Sequence, residues 1–136
     1  MSYTTRISIA FGDTDPAGLV YYPNIFHYCH VAMERFVAEF SGVAYSQLIA
    51  EQRIGFPTVK VSAEFFVPIV YGDDIDVEVH VVKIGNSSLD LSYSIKRIPD
   101  QTVCACIEQT HVSMNLDHKK SLPIPPHLRN ALINAK

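Results

Sequence analysis

The segment Phe11-Gly12-Asp13-Thr14-Asp15-Pro16-Ala17-Gly18 puts two carboxylates two residues apart in a stretch of small and turn-forming residues that suits neither helix nor strand. A few residues later comes Pro23, the type favoured at the first helical position because it has no N–H to leave unpaired. A helix start offers free backbone N–H groups and the positive end of the macrodipole. A carboxylate beside it stays ionised at neutral pH, and a carbonyl oxygen seated on the same N–H groups has its developing negative charge stabilised. Carboxylate plus oxyanion hole is a hydrolytic pair. Loop aspartates usually serve as turn or cap residues, however, and on residue chemistry alone that plainer reading leads.

Other chemistry-bearing residues are fewer. His27, His30 and Glu34 stand at steps of three and four on one helical face, a spacing able to ligate a metal, but no further acidic or histidine cluster accompanies them. A polar stripe facing a pocket or a neighbouring subunit is expected there, with no metal and no cofactor. Cys104 and Cys106, two apart, are expected to share one strand face, which makes half a zinc site at most. Cys29 falls on an apolar helical stripe and reads as core. His111, near the middle of a strand, suits either a pocket or a satisfied structural position, and His80 is expected to be exposed.

The elements that must hold these residues follow from periodicity. Residues 3–11 read as a strand. A helix is expected from Pro23 to about Ser41, closed by Gly42 as a left-handed residue. Ile25, Cys29, Ala32, Phe36 and Phe40 line one face of it, with Phe26, Met33 and Val37 widening the apolar surface, so the helix is expected to be wrapped by other elements. A shorter helical stretch is expected at 44–52. From Gly55 the period becomes two: Ile75, Val77, Val79 and Val81 alternate with polar residues, as do Leu89, Leu91, Tyr93 and Ile95. Strands are also expected at 56–67 and 102–116, and the short turns between strands exclude parallel crossovers. A proline-rich step, Ser121–Pro126, precedes a last helical turn or two at 127–134. The class is α+β, with a five-stranded antiparallel sheet around one long helix.

Length and composition bound the function. The 136 residues allow one domain, 1–136. With 48% hydrophobic and 18% charged residues the chain is too apolar for a disordered segment. A net charge of −3, from 11 Lys and Arg against 14 Asp and Glu, gives no cationic face for nucleic acid. No uncharged apolar run reaches the ~18 residues a membrane span needs. The start, Met1-Ser2-Tyr3-Thr4-Thr5-Arg6, does not read as a signal peptide, and three cysteines are too few for a disulfide scaffold. A cytoplasmic protein with reduced thiols is expected.

The run from Phe11 to Asn24, with the long helix after it, the Phe65-Phe66-Val67-Pro68 and Tyr71-Gly72-Asp73 segments and the order of strands, resembles the 4-hydroxybenzoyl-CoA thioesterase family and its hotdog fold. The resemblance covers nearly the whole chain, and the Asp-x-Asp-Pro-Ala-Gly loop is its specific mark. It implies hydrolysis of an acyl-CoA thioester. Asp15 matches the family's catalytic carboxylate, either general base or nucleophile, and Tyr22 matches the residue whose backbone amide forms the oxyanion hole. Asp13 is left to shape the loop, with Pro16 and Gly18 beside the substrate. Where the 4-hydroxybenzoyl type carries an acidic residue to receive the ring hydroxyl, this chain has His30. That departure argues against 4-hydroxybenzoyl-CoA itself and leaves another aromatic or a short acyl group. Lys119 and Lys120, and Lys83 near the Gly85–Ser88 turn, are the few cations offered to the CoA phosphates.

Two other classes compete. One is a non-catalytic acyl-CoA-binding hotdog module, a sensor or carrier, against which Asp15 in its intact loop is the discriminating feature. The other is a dehydratase or hydratase, which needs a histidine paired with a carboxylate near the helix, whereas no histidine precedes His27. The resemblance further implies a homo-oligomer, a dimer assembled into a tetramer with sites shared between subunits. One helix and one sheet offer little concave surface for a ligand as long as acyl-CoA, and the sheet keeps an open edge that needs covering.

Overall fold

The computed structural model describes residues 2–136. Strand β1 (Tyr3–Ser8) leads through a short 3₁₀ turn, Phe11–Asp13, and an irregular loop into helix α1 (Pro23–Ser41). A single helical turn, α2 (Tyr45–Gln47), widens into a π-type turn over Leu48–Gln52 that ends at Arg53, whose φ of 55° is left-handed. Then follow β2 (Ile54–Gly55), β3 (Thr58–Phe65), β4 (Asp74–Ile84), β5 (Ser88–Ile98), β6 (Thr102–Val112), β7 (Met114–Asn115), β8 (Lys120–Ser121) and helix α3 (Pro126–Ala135).

The main sheet has five strands in the order β1-β4-β5-β6-β3, all neighbours antiparallel. The alternation in β4 and β5 predicts its buried face: Ile75, Val77, Val79, Leu91, Tyr93 and Ile95 are all at most 1% exposed. Against that face lies one stripe of α1, made of Ile25, Tyr28, Cys29, Ala32, Met33 and Phe36. The helix begins at Pro23 and closes at Gly42, where φ is 74° and the N–H donates to Ala38 O, as the sequence leads one to expect. The sheet packs along one side of α1, and the opposite side is open in the single chain. His27, His30, Ala38 and Glu39 are exposed, because the sheet covers only one side of the helix in a single chain.

Three further differences have local causes. The run expected as one strand over 102–116 breaks at Ser113, whose N–H donates to Ser87 O and whose C=O accepts from Leu122, so the chain leaves the main sheet there. Its continuation, β7, joins a separate three-stranded sheet, β2-β7-β8. Cys104 and Cys106 do not share a face: the β5–β6 register shifts between Ile95 and Lys96, and the bulge turns Cys104 inward, 1% exposed, while Cys106 is exposed. The last helix is longer than expected, ten residues, because Leu128, Leu132 and Ala135 form a buried stripe. Arg129 Nη2 then donates to Gly85 O and Asn86 O, both at 2.8 Å, tying α3 to the β4–β5 turn.

His111 takes the structural role. It is 2% exposed, its Nδ1 donates to Phe56 O at 3.1 Å, and its Nε2 is 3.5 Å from the Tyr93 hydroxyl. The Phe56 N–H in turn donates to the Tyr45 hydroxyl at 3.0 Å, so buried side chains satisfy both backbone groups of a residue that lies between strands. Burial pushes the His111 imidazole below its ordinary value. The folded state therefore keeps His111 neutral at a pH where the unfolded chain already takes up a proton, near 6.5. Stability from this group is complete above that pH and is lost as pH falls toward the lower folded value. The urea unfolding midpoint is thus expected to fall below pH 6.5, and His111→Gln, which keeps a donor for Phe56 O and does not titrate, should flatten that part of the profile.

Candidate active site

The loop after β1 is shaped by its own sequence. Asp15 O accepts the Gly18 N–H at 2.9 Å, closing a β-turn with Pro16 at its second position and Gly18 at its fourth. Gly18 has φ of 83°, which a side chain tolerates poorly. Within the turn, Ala17 N–H donates to Asp15 Oδ1 at 2.9 Å, the Asx arrangement available to an aspartate. Two isolated bridges, Thr14 with Val20 and Leu19 with Val70, fasten both limbs of the loop, and Val20 N–H donates to Ile69 O at 2.8 Å.

Asp15 is half-buried, and its Oδ2 has no hydrogen-bond partner among the described residues. One carboxylate oxygen is held and the other is free. At the start of α1, Pro23 has no N–H and the Asn24 N–H donates to Tyr21 O at 2.8 Å. The Tyr22 N–H has no acceptor among the described residues. The Tyr22 N–H at the helix start and Asp15 Oδ2 in the loop before it are therefore both unengaged among the described residues.

Asp13 carries the joint between them. Its Oδ2 accepts the Ala10 N–H at 3.1 Å and the Tyr28 hydroxyl at 2.9 Å. Its main-chain oxygen accepts the Asn24 side-chain amide at 2.8 Å and the Tyr21 N–H at 2.9 Å. Desolvation, followed by the bond to Asp13 and the aspartate's charge, raises the Tyr28 phenol well above its usual value, so it stays a donor. The loop-shaping expectation for Asp13 fits this geometry. The sequence marks Asn24 and Tyr28 only by their i, i+4 spacing and by the hydroxyl that Tyr28 brings to the apolar stripe.

Two depressions flank the loop. One contains Asp15, Pro16 and Gly18 and is walled by Phe11 and Tyr71, whose rings meet edge-on at 5.6 Å. The other is an apolar groove between Tyr22, Ile25, Phe65, Phe66 and Cys104. Asp15 and Tyr22 thus line neighbouring hollows of the isolated chain. His30 lies on the exposed side of α1, its Nε2 3.7 Å from Glu34 Oε2 and its ring 5.8 Å from that of Tyr45. His27 packs instead near Tyr28, at 6.4 Å, so the two imidazoles of the stripe engage different neighbours. Lys119 and Lys120 are exposed at the β7–β8 turn, in the small sheet.

Residues 9–132 match the thioesterase-like superfamily. The chain belongs to that family. It is 30% identical over 139 residues to the 1,4-dihydroxy-2-naphthoyl-CoA hydrolase of Picosynechococcus sp., covering 99% of this chain and 94% of that protein. The enzyme of the same name from Thermosynechococcus vestitus is 29% identical over 121 residues, 89% of this chain and 82% of that one. A solved gentisyl-coenzyme A thioesterase matches with a TM-score of 0.86 at 28% identity, over 97% of this chain and 100% of that chain. A 1,4-dihydroxy-2-naphthoyl-CoA thioesterase from Synechocystis, at 24% identity and TM-score 0.89 over 98% of this chain and 97% of that chain, carries the fold alone. The chain is an acyl-CoA thioester hydrolase with the hotdog fold.

For this thioesterase the turn at Gly18 is a sensitive point. Gly18→Ala has space for its methyl group but forces a left-handed residue, at a cost of about 1–2 kcal/mol. A lower urea midpoint together with reduced turnover is expected, since the strained turn holds Asp15.

Proposed function

We propose that the protein hydrolyses an aromatic acyl-CoA thioester, with Asp15 as the catalytic carboxylate and the Tyr22 N–H as the oxyanion donor. The observation that carries this reading is the pairing of a free carboxylate oxygen on a rigid loop with an unengaged N–H at the following helix start. The thioester carbonyl would place its oxygen on the Tyr22 N–H. Asp15 would then take a proton from a water that adds to the carbonyl carbon, or attack that carbon itself to give a mixed anhydride that water resolves. In either route the negative charge on the oxygen is greatest when the tetrahedral centre forms, and CoA leaves as the thiolate. The acyl group suits the apolar groove at Tyr22 and Phe66, while Pro16 and Gly18 border the Asp15 side of the substrate.

The names of the relatives make 1,4-dihydroxy-2-naphthoyl-CoA the first substrate to test, and gentisyl-CoA the second. His30 is offered as a contact for a polar substituent on the acyl ring, in place of an acidic residue. A thiol-release assay on these two thioesters, 4-hydroxybenzoyl-CoA, benzoyl-CoA and a short aliphatic acyl-CoA tests the reading. Hydroxylated aromatic thioesters should turn over fastest. Asp15→Asn, nearly isosteric, should lower kcat by about a hundred- to ten-thousand-fold with the fold intact. Near-normal turnover by a folded Asp15→Asn protein would sink the assignment.

The oligomer belongs to the same reading. Strand β3 pairs with β6 on one side only, and Val59, Val61 and Phe65 are 60%, 48% and 51% exposed. Such an edge is open to pairing with another strand. A second copy pairing its own β3 there would extend the sheet and cover these residues together with the bare flank of α1. A cytoplasmic homodimer, assembled further into a tetramer, is the proposed form. Sedimentation velocity should show no 15 kDa species, and Val61→Lys, which places a charge on that edge, should shift the protein toward monomer. Full activity in a stable monomer would contradict the proposal.

A further inference from the structure

The strongest unused feature of the molecule is the grip of α1 on Asp13. Asn24 and Tyr28, four residues apart, lie on one face of the helix, and both reach the same loop residue: the Asn24 amide donates to its main-chain oxygen and the Tyr28 hydroxyl to its carboxylate. Tyr28 is 3% exposed, so its ring is fixed among core side chains, and its bond to the half-buried aspartate is charge-assisted. Asp13 is joined to Asp15 only through Thr14, whose hydroxyl donates back to Phe11 O at 2.8 Å. The loop therefore has one firm attachment to the first two turns of the helix whose start carries the Tyr22 N–H.

We propose that Asn24 and Tyr28 are positioning residues which, through Asp13, fix the Asp15 carboxylate relative to the Tyr22 N–H. This rests on the assignment of those two groups made above. Neither residue touches the reacting atoms in this role; they set the spacing across which a carbonyl must fit. A hydrolysis of this kind needs its carboxylate, directly or through a water, over a face of the carbonyl carbon while the oxyanion donor holds the carbonyl oxygen, and misplacement by about 1 Å can cost up to a hundredfold in rate. A purely structural Tyr28 would lower stability when altered and leave kcat alone.

Tyr28→Phe keeps the buried ring and removes only the hydroxyl, and Asn24→Ala removes the amide. With the best thioester from the panel above, each variant should lower kcat by about ten- to a hundredfold while KM stays within about twofold. Asp13→Asn should lower kcat similarly, and adding Tyr28→Phe to it should lose little more, since both act through one bond. Leu132→Ala, which opens the core at α3, should melt earlier and keep wild-type kcat below its melting temperature. Wild-type kcat in Tyr28→Phe and Asn24→Ala, with Asp15→Asn inactive, would overturn the positioning role and leave the catalytic assignment standing. An active Asp15→Asn protein, or a wild-type protein that cleaves no member of the panel, would remove the assignment itself and this role with it.

Discussion

The burial of one stripe of α1 against the sheet sets the position of everything else. Ile25, Met33 and Phe36 are 4%, 2% and 2% exposed, and each such side chain contributes about 1.5–3 kcal/mol. The three together are comparable with the ~5–15 kcal/mol net stability of a domain. With the stripe fixed, α1 can neither slide nor rotate, so its first turn is fixed as well, and with it the direction in which the Tyr22 N–H points. Tyr28 belongs to the same stripe. Its ring is held by the packing that holds the helix, and its hydroxyl projects that rigidity into the loop.

The sheet is stabilised unevenly. Strands β4, β5 and β6 bury alternate residues under α1, whereas β3, the outermost, has no fully buried residue. Exposed apolar side chains on one edge are costly in water, and here Phe65 meets Phe26 of α1 edge-on, ring centroids 6.4 Å apart. The same edge ends at Phe65 and Phe66, which line the apolar groove at Tyr22. A surface laid over β3 would therefore also border the groove.

Strong periodicity made much of this fold legible in the sequence. Pro23 and Gly42 mark the ends of α1 because each has a backbone property that suits a helix end, and the alternation in β4 and β5 is regular because one face is dry. Legibility failed where tertiary contacts override the local pattern. The inward turn of Cys104 depends on a bulge, which cannot be seen in a two-residue period. The break at Ser113 depends on backbone partners at Ser87 and Leu122, and two-residue strands such as β7 and β8 have no period to detect. In the candidate site, the turn that holds Asp15 was legible through Pro16 and Gly18. The bonds of Asn24 and Tyr28 were not, since both reach a shared partner eleven and fifteen residues earlier.

An ionised carboxylate just before a helix start would ordinarily turn back onto the free N–H groups there and cap the helix, a favourable bond that would leave nothing for a substrate. In this chain the capping geometry is prevented. Tyr22 is already in helical conformation, with φ −55° and ψ −33°, Pro23 removes one donor, and Tyr21 O takes the Asn24 N–H. Asp13 Oδ2 is engaged by both Ala10 and Tyr28, and Asp15 Oδ1 by Ala17. The Tyr22 N–H and Asp15 Oδ2 remain without a bond to each other and line neighbouring hollows. Keeping them apart forgoes about 1 kcal/mol of capping stability. The apolar stripe of α1 offsets that loss many times over, which is why a chain of this size can leave its longest helix uncapped by either aspartate.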